Sequence, residues 1–218
     1  MNREQVRARI QEIGIIPGIR VSSPEDALFA AEAVASGGIP IVELTMTVPG
    51  AIEVIAHLVR NAPELIVGAG TVWDTEMARR CLDAGAMFLT STGLDIQTVE
   101  FAARENVVVF PGALTPSEVM MASKAGADFV KIFPCSQLGG APYIKALKAP
   151  FPQVRLIASG GVNQQNAADF FVAGATAVGV GAHLIPKKAI ELRQPHRIHE
   201  LAVRLVNIVK NARGQMAK

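Results

Sequence analysis

Short apolar runs rich in β-branched residues recur along the chain, and each ends in a cluster containing Gly, Pro, Thr or Ser. Runs of this kind are typical of strands buried on both faces of a parallel sheet. Their starts lie 20–26 residues apart, which leaves room for a strand, a helix and two short loops in each repeat. Eight runs are found, namely IIPGIRV from Ile15, IPIVELTM from Ile39, LIVGAGTV from Leu65, MFLTST from Met87, VVVFPGA from Val107, FVKIFP from Phe129, VRLIASGG from Val154 and AVGVGA from Ala177.

The segments between the runs carry the start and stop signals of helices. In SSPEDALFAAEAVASGG, Ser23 is placed to cap a helix whose first turn contains Pro24 and Asp26, and Gly37 is placed to stop it. The N-terminal stretch and the tail from about Ala189 are each predicted to form one further helix, the tail packing outside the barrel. Equivalent start and stop pairs are Asp74 with Gly85, Thr115 with Gly126, and Asn163 with Gly174.

This alternation of strands and helices predicts the fold class. Eight βα repeats imply right-handed crossovers and a parallel sheet, which closes into a (β/α)8 TIM barrel. We find no linker or second set of elements, so residues 1–218 are predicted to form a single α/β domain with an N-terminal and a C-terminal helix.

Of the charged residues in these apolar runs, Glu43 and Lys131 stand near the middle of their strands, and they identify the candidate chemistry. Because side chains alternate between the faces of a strand, Glu43 shares its face with Ile41, and Lys131 shares its face with Phe129 and Phe133. The C-terminal ends of barrel strands share one mouth, where the active sites of such barrels lie. We therefore expect a carboxylate and an amine to meet inside an apolar lumen.

This pair has two interpretations. Glu43 and Lys131 could form a buried ion pair that serves the fold alone. Alternatively, the dry lumen disfavours the charged ammonium, and the neutral amine of Lys131 attacks a ketone to form a Schiff base while Glu43 transfers protons.

Composition restricts the class of partner. The net charge is +2, only 18% of residues are charged, and the basic residues form no run, so neither a nucleic-acid surface nor a membrane surface is predicted. A small-molecule substrate is expected instead. No signal peptide or long apolar span is recognised, and Cys81 and Cys135 have no ligand-like spacing. These features predict a cytoplasmic protein with reduced thiols.

Six motifs, in order and spacing, resemble the 2-keto-3-deoxy-6-phosphogluconate (KDPG)/4-hydroxy-2-oxoglutarate (KHG) aldolase family. The resemblance runs from about Ile15 to Ile190. It implies a class I aldolase that forms a homotrimer of (β/α)8 barrels and needs no metal or other cofactor. It also implies that Lys131 forms the Schiff base, that Glu43 transfers protons and that Thr71 contacts the pyruvate portion of the substrate. The motifs are VELTMTVP, VGAGTV, PGALTPSE, VKIFP, YIKALKAPFPQVRLIASGGV and AVGVGA.

The distal end of the substrate is expected at the last two strands. A phosphate could bind the backbone N–H groups of Gly160, Gly161, Gly181 and Ala182, since barrels often bind phosphate after strands seven and eight. The alternative is that these glycines only permit tight turns. Ala182 stands where the family often has Ser, which puts phosphate affinity in doubt. Ser159 stands where the family has the Thr that helps to read the configuration at C4.

Two further departures, Thr47 and Thr92, concern the pyruvate end. Thr47 occupies the position of an Arg that many members use to hold the substrate carboxylate, although other members also have TVP there. Arg20, at the end of the first strand, is the candidate replacement cation, unless it pairs with a neighbouring acid. Thr92 replaces a Pro that lines the pocket, and Phe133 is expected to line it as well.

The resemblance implies cleavage of KDPG to pyruvate and glyceraldehyde 3-phosphate, and of KHG to pyruvate and glyoxylate. The altered C4-reading residue, Ser159, leaves the galactonate-derived epimer as an alternative substrate. Two alternative functions lie outside the aldolases: a phosphate-sugar isomerase and a non-catalytic barrel scaffold. The four histidines offer no set of three ligands, so no metal is expected, although His196 and His199 have the spacing of a ligand pair.

Overall fold

The computed structural model describes residues 1–216, and its centre is a nearly closed barrel of parallel strands. The strands are hydrogen-bonded in the order β5-β4-β3-β2-β1-β9-β8-β7-β6. Their bounds are β1 Ile15–Ile19, β2 Ile41–Thr45, β3 Ile66–Gly70, β4 Phe88–Thr90, β5 Val108–Phe110, β6 Gly112–Ala113, β7 Val130–Ile132, β8 Leu156–Ser159 and β9 Ala177–Val180.

Nine strands occupy eight positions because Pro111 divides the fifth predicted strand. The two edges of the sheet, β5 and β6, are consecutive in the chain and are separated only by this residue. Proline has no N–H to donate to a neighbouring strand, so the ladder is interrupted there. The Pro111 carbonyl still accepts a hydrogen bond of 2.9 Å from the backbone N–H of Lys131. The predicted barrel of eight βα repeats is therefore confirmed.

Helices connect the strands and cover the outside of the barrel. Their N-caps follow the predicted signals at Ser23, Asp74 and Thr115, whose side chains each accept a hydrogen bond from the backbone N–H three residues later. The bounds are α1 Arg3–Ile13, α2 Pro24–Ser36, α3 Ala51–Asn61, α4 Thr75–Asp83, α5 Ile96–Arg104, α6 Pro116–Lys124, α7 Gly140–Lys148, α8 Ala167–Val172, α9 Lys187–Glu191 and α10 Pro195–Met216, with a 3-10 turn at Ser136–Leu138.

Two local predictions were wrong. Asn163 does not cap α8: its side chain accepts from the N–H groups of Gln165 and Asn166 in a turn that precedes the helix. The tail is not one helix, because α9 ends at Glu191 and α10 begins at Pro195. Between them Arg193 adopts a left-handed φ of 47°, which interrupts the helical backbone, and Pro195 starts α10 two residues later. The Arg193 side chain pairs with Asp26 at 3.0 Å.

The lower end of the barrel, where the strands begin, is closed, and the upper end, where the strands finish, is open. Three aromatic rings pack against one another at the lower end, with Phe88 and Phe129 at the starts of β4 and β7: the rings of Phe88 and Phe110 stack with centroids 5.2 Å apart, and Phe129 meets Phe110 edge to face with centroids 5.8 Å apart. Helix α1 packs at this end, where Arg3 pairs with the buried Asp128 at 2.9 Å. The cavity that contains Glu43 and Lys131 opens at the other end.

No helix within residues 1–216 combines the length and the apolar character needed to cross a membrane.

Candidate active site

A cavity of about 750 Å³ opens at the C-terminal ends of the strands. Its floor contains Glu43 on β2 and Lys131 on β7, and its walls come from the ends of β1, β8 and β9 and the loops that follow them. A volume of this size accommodates a metabolite of the size of a sugar acid. The fold therefore places one pocket where barrels of this type carry their chemistry.

Lys131 and Glu43 meet at the floor of this cavity, as the alternation along their strands predicted. The Lys131 Nζ lies 3.5 Å from the Glu43 Oε1, and each residue is only 6% exposed. Nζ also lies 5.8 Å from the centroid of the Phe133 ring and 3.4 Å from the hydroxyl of Thr90. An amine and a carboxylate thus share an apolar, nearly dry site in which proton transfer between them needs no movement of the backbone.

The strands around Glu43 leave space for its carboxylate because the residues beside it have no side chain. In the parallel register, Glu43 pairs with Gly18 on β1 and with Gly68 on β3. At Gly70, the next inward position of β3, a Cβ atom would lie only 2.1 Å from the Glu43 Oε1. The GAG sequence of β3 therefore allows the carboxylate to lie against the strand backbone and face Lys131.

Ten of the twelve predicted site residues line the cavity. Besides Lys131 and Glu43, they include the candidate cation Arg20, which forms no ion pair within residues 1–216 and so is available to an anionic ligand. The others that line it are Thr92, Phe133, Ser159, Gly160, Gly161, Gly181 and Ala182.

Thr47 and Thr71 do not line the cavity. Thr47 is exposed, and its hydroxyl lies 2.9 Å from that of Thr45, which does line the cavity. Thr71 has a left-handed φ of 62°, an unusual conformation for a β-branched residue. Its hydroxyl is buried without a hydrogen-bond partner among the described residues. Strain and an unsatisfied polar atom beside the floor are features that cluster at functional sites.

The glycines at the distal end were explained either by tight turns or by a bound phosphate, and the structure favours a different explanation at different positions. Gly160 and Gly161 have φ values of 89° and 78°, and added Cβ atoms would lie 2.9 Å from Pro134 and 2.5 Å from Ser136, respectively. The turn itself therefore requires glycine there. Gly181 has neither a positive φ nor a close neighbour, since its Cβ would approach nothing nearer than 3.7 Å. Open space towards the cavity is consistent with a ligand at that position.

Several polar residues of the cavity or its floor escaped the sequence analysis, among them Thr90, Gln137 and His183. Thr90 contacts Lys131 and could have been found from the strand period, because it shares the inward face with Phe88. Gln137 lines the cavity from the 3-10 turn Ser136–Leu138, and His183 lines it from the turn that follows β9. No periodic signal marks such positions, so sequence reasoning had no means of assigning them a direction.

Neither metal-ligand clusters nor reactive thiols are found within residues 1–216. No group of three or more His, Cys, Asp or Glu residues there is placed to hold a metal ion. His199 instead contacts the hydroxyl of Ser36 at 3.1 Å. Burial raises the pKa of Cys81 and of Cys135 to about 11, so both remain protonated thiols near neutral pH.

The fold and the site together define a barrel protein with a buried amine and carboxylate at the floor of a metabolite-sized pocket. Residues 6–201 match the family model "KDPG and KHG aldolase". The chain therefore belongs to the KDPG and KHG aldolase family, and it is an aldolase, a carbon–carbon lyase.

Relatives and solved structures agree with this family. The 2-dehydro-3-deoxy-phosphogluconate aldolase of Pseudomonas aeruginosa is 34% identical over 195 residues, which cover 87% of this chain and 88% of that protein. The KHG/KDPG aldolase of Escherichia coli K12 is 32% identical, with coverage of 86% and 88%. A crystal structure of the Legionella pneumophila KDPG aldolase, with pyruvate captured as a covalent carbinolamine, has a TM-score of 0.85 and 32% identity, and covers 91% of this chain and 97% of its own.

Proposed function

We propose that this protein is a class I aldolase that cleaves KDPG to pyruvate and glyceraldehyde 3-phosphate, and that it also cleaves KHG to pyruvate and glyoxylate. The observation that carries the proposal is the 3.5 Å contact between Lys131 and Glu43, both nearly buried, at the floor of the cavity. A scaffold would not need an amine and a carboxylate there.

The chemistry of this pair follows from its surroundings. In its neutral form, the amine of Lys131 attacks the C2 ketone and forms a C–N bond, while the carbonyl electron pair moves to oxygen. Loss of water from this carbinolamine leaves an iminium, which accepts the electrons released when the C3–C4 bond breaks. Glu43, at 3.5 Å from Nζ, takes the proton of the C4 hydroxyl directly or through a water.

The two products then separate in turn. Cleavage releases the aldehyde and leaves an enamine of pyruvate on Lys131. Protonation at C3 restores the iminium, and hydrolysis releases pyruvate and regenerates the amine. The iminium supplies the electron sink that a Lewis-acid metal supplies in other enzymes, so no metal or other cofactor is expected in this mechanism.

The charged ends of the substrate suit the walls of the cavity. We assign the substrate carboxylate to Arg20, which lines the cavity without an ion pair among the described residues. The mouth also holds Asp26 and Glu191, which would repel an anion, but Arg193 pairs with Asp26 at 3.0 Å and Lys187 with Glu191 at 3.5 Å. We assign the phosphate to the backbone N–H groups at Gly160, Gly161, Gly181 and Ala182. We expect Thr71 to contact the pyruvate portion.

A reductive trapping experiment tests the proposal. The protein is incubated with pyruvate and then with borohydride, and the modified peptide is located by mass spectrometry. We expect a stable adduct on Lys131, because borohydride reduces the iminium to a secondary amine. Lys131→Met should abolish both the adduct and turnover while leaving the fold intact, since Met is apolar and of similar length.

The alternatives predict other outcomes. An adduct on Lys187, whose side chain is 89% exposed, would indicate unselective modification and would contradict the proposal. An absence of any adduct would favour the isomerase or scaffold interpretation. Kinetic comparison of KDPG, its galactonate-derived epimer and KHG then ranks the substrates. Because Ser159 lines the cavity, it is the residue to replace with Thr if the two epimers react at similar rates.

We also propose a homotrimer in the cytoplasm. The side chain of Trp73 is 69% exposed, which is unusual for so large an apolar residue and is consistent with a contact between subunits. Measurement of the mass in solution by light scattering should give three times the chain mass of 23.1 kDa. A cytoplasmic location fits a substrate whose phosphate prevents free passage through a membrane.

A further inference from the structure

Thr90 contacts the amine of Lys131 from β4, which only the β5 and β6 position separates from β7. It is the last residue of β4, only 1% exposed, and its Oγ1 lies 3.4 Å from the Lys131 Nζ. Within residues 1–216 this is the single hydrogen bond recorded for its side chain. Burying a hydroxyl without a hydrogen-bond partner costs free energy. The contact therefore gives the Thr90 hydroxyl a partner and at the same time fixes the position of the Lys131 amine.

The amine lies between two acceptors on different strands. Lys131 projects from β7, Glu43 from β2 and Thr90 from β4; β2 lies across the barrel from β7, whereas β4 is separated from β7 only by the position that β5 and β6 share. Between β2 and β4 lies β3, whose inward positions Gly68 and Gly70 carry no side chain. The amine therefore crosses the lumen and reaches Glu43 at 3.5 Å and Thr90 at 3.4 Å.

We propose that Thr90 is a positioning residue for the Schiff-base lysine, whose hydroxyl accepts a hydrogen bond from the Lys131 nitrogen and leaves Glu43 free to transfer protons to and from the substrate. This inference rests on the function proposed above.

The chemistry needs such an acceptor. After water is lost, the iminium nitrogen keeps one N–H, and its direction fixes the plane of the electron sink relative to the C3–C4 bond. If Glu43 accepted that hydrogen, its carboxylate would be drawn away from the C4 hydroxyl. Thr90 provides a neutral acceptor instead. The distance of 3.4 Å is long for a hydrogen bond, but contacts of this kind often tighten when the substrate binds.

Thr90→Val tests the inference because Val has nearly the same shape and lacks the hydroxyl. We expect kcat to fall by about ten- to a hundredfold, the order of loss that follows misplacement of a catalytic group. The rate at which pyruvate is trapped on Lys131 by borohydride should fall in parallel. KM should stay within about twofold, since Thr90 makes no contact with the ends of the substrate.

Thr90→Ser keeps the hydroxyl and removes only a methyl group, so it should restore most of the rate of trapping and of kcat. If Thr90 served only the packing of the barrel, the Val variant, which keeps the shape of the side chain, would retain kcat. The Ser variant, which leaves a small cavity, would then have the lower thermal midpoint of the two. That result would overturn the inference while the wild-type adduct on Lys131 still supported the aldolase. If the wild-type protein forms no adduct on Lys131, the proposed function and this inference both fail.

Discussion

At the scale of single residues, the position of Glu43 depends on a neighbour that has no side chain. A Cβ atom at Gly70 would lie 2.1 Å from the Glu43 Oε1 and 2.6 Å from its Cδ, distances that no packed pair of atoms adopts. Gly70→Ala must therefore displace the carboxylate. We expect kcat to fall by about a hundredfold, because the proton acceptor no longer faces the substrate. Steady-state kinetics of aldol cleavage measures the loss.

Gly68→Ala is the matched control for that prediction. Gly68 faces the same way one step below Gly70, but its added Cβ would meet the ring of Phe88 at 2.3 Å instead of Glu43. Each variant should lose roughly 1–3 kcal/mol of stability through crowding. The prediction is wrong if the two variants lose kcat equally, because the loss would then follow general strain in β3 and not the carboxylate.

At the scale of elements, the capping box of α6 contains a charge whose contribution depends on pH. The Glu118 carboxylate accepts from the backbone N–H of Thr115 at 2.6 Å and of Leu114 at 2.9 Å. The N–H of Thr115, more than that of Leu114, holds the pKa of Glu118 below its ordinary value of 4.5. A lowered pKa in the folded state means that this stabilisation is present above pH 4.5 and is lost as the pH falls through the lower value.

Glu118→Gln should therefore lower the free energy of unfolding near pH 7 by at most about 1 kcal/mol, because solvent screens a carboxylate at the surface. The difference from the wild type should shrink as the pH falls below 4.5. Urea titrations at several pH values measure it. Glu100→Gln, on the exposed surface of α5, should show no such trend. A difference that stayed constant with pH would contradict a role for the charge.

At the scale of the whole molecule, one carboxylate connects the N-terminal helix to the lower end of the barrel. The Asp128 side chain is only 2% exposed, accepts from Arg3 at 2.9 Å and also accepts from the backbone N–H of Val109 on β5. Asp128→Asn removes the negative charge that pairs with Arg3 at 2.9 Å and faces Arg7 at 3.7 Å, and of the contacts of Arg3 it leaves the hydrogen bond to the Gly126 carbonyl. We expect a loss of about 2–4 kcal/mol of stability, measured by urea unfolding.

The same variant should leave kcat of the folded protein unchanged, because Asp128 precedes β7 at the end of the barrel opposite the cavity. Asp83→Asn, at the exposed end of α4, is the control and should stay within about 0.5 kcal/mol of the wild type. A fall in kcat at temperatures where Asp128→Asn is fully folded would show that the two ends of the barrel are coupled.

Local patterns were sufficient for most of the elements and for the direction of the two candidate catalytic side chains. The strand period of two assigned Glu43 and Lys131 to the lumen, and both are 6% exposed there. Capping signals located the starts of α2, α4 and α6. The same signals failed at Asn163, where hydrogen bonds in a turn precede α8, and in the tail, where the left-handed backbone of Arg193 and then Pro195 separate α9 from α10.

The sequence by itself determined the repeat, the faces of the strands and the residue types that face the mouth, because each of these follows from backbone geometry over a few neighbouring positions. Only closure of the barrel brings the Lys131 Nζ to within 3.5 Å of both the Glu43 carboxylate and the Thr90 hydroxyl. These residues are on strands that are distant in the chain, and no local preference encodes the distance between them. That distance is fixed by the closure of the sheet across Pro111 and by Gly70 of β3, where any side chain would displace the Glu43 carboxylate.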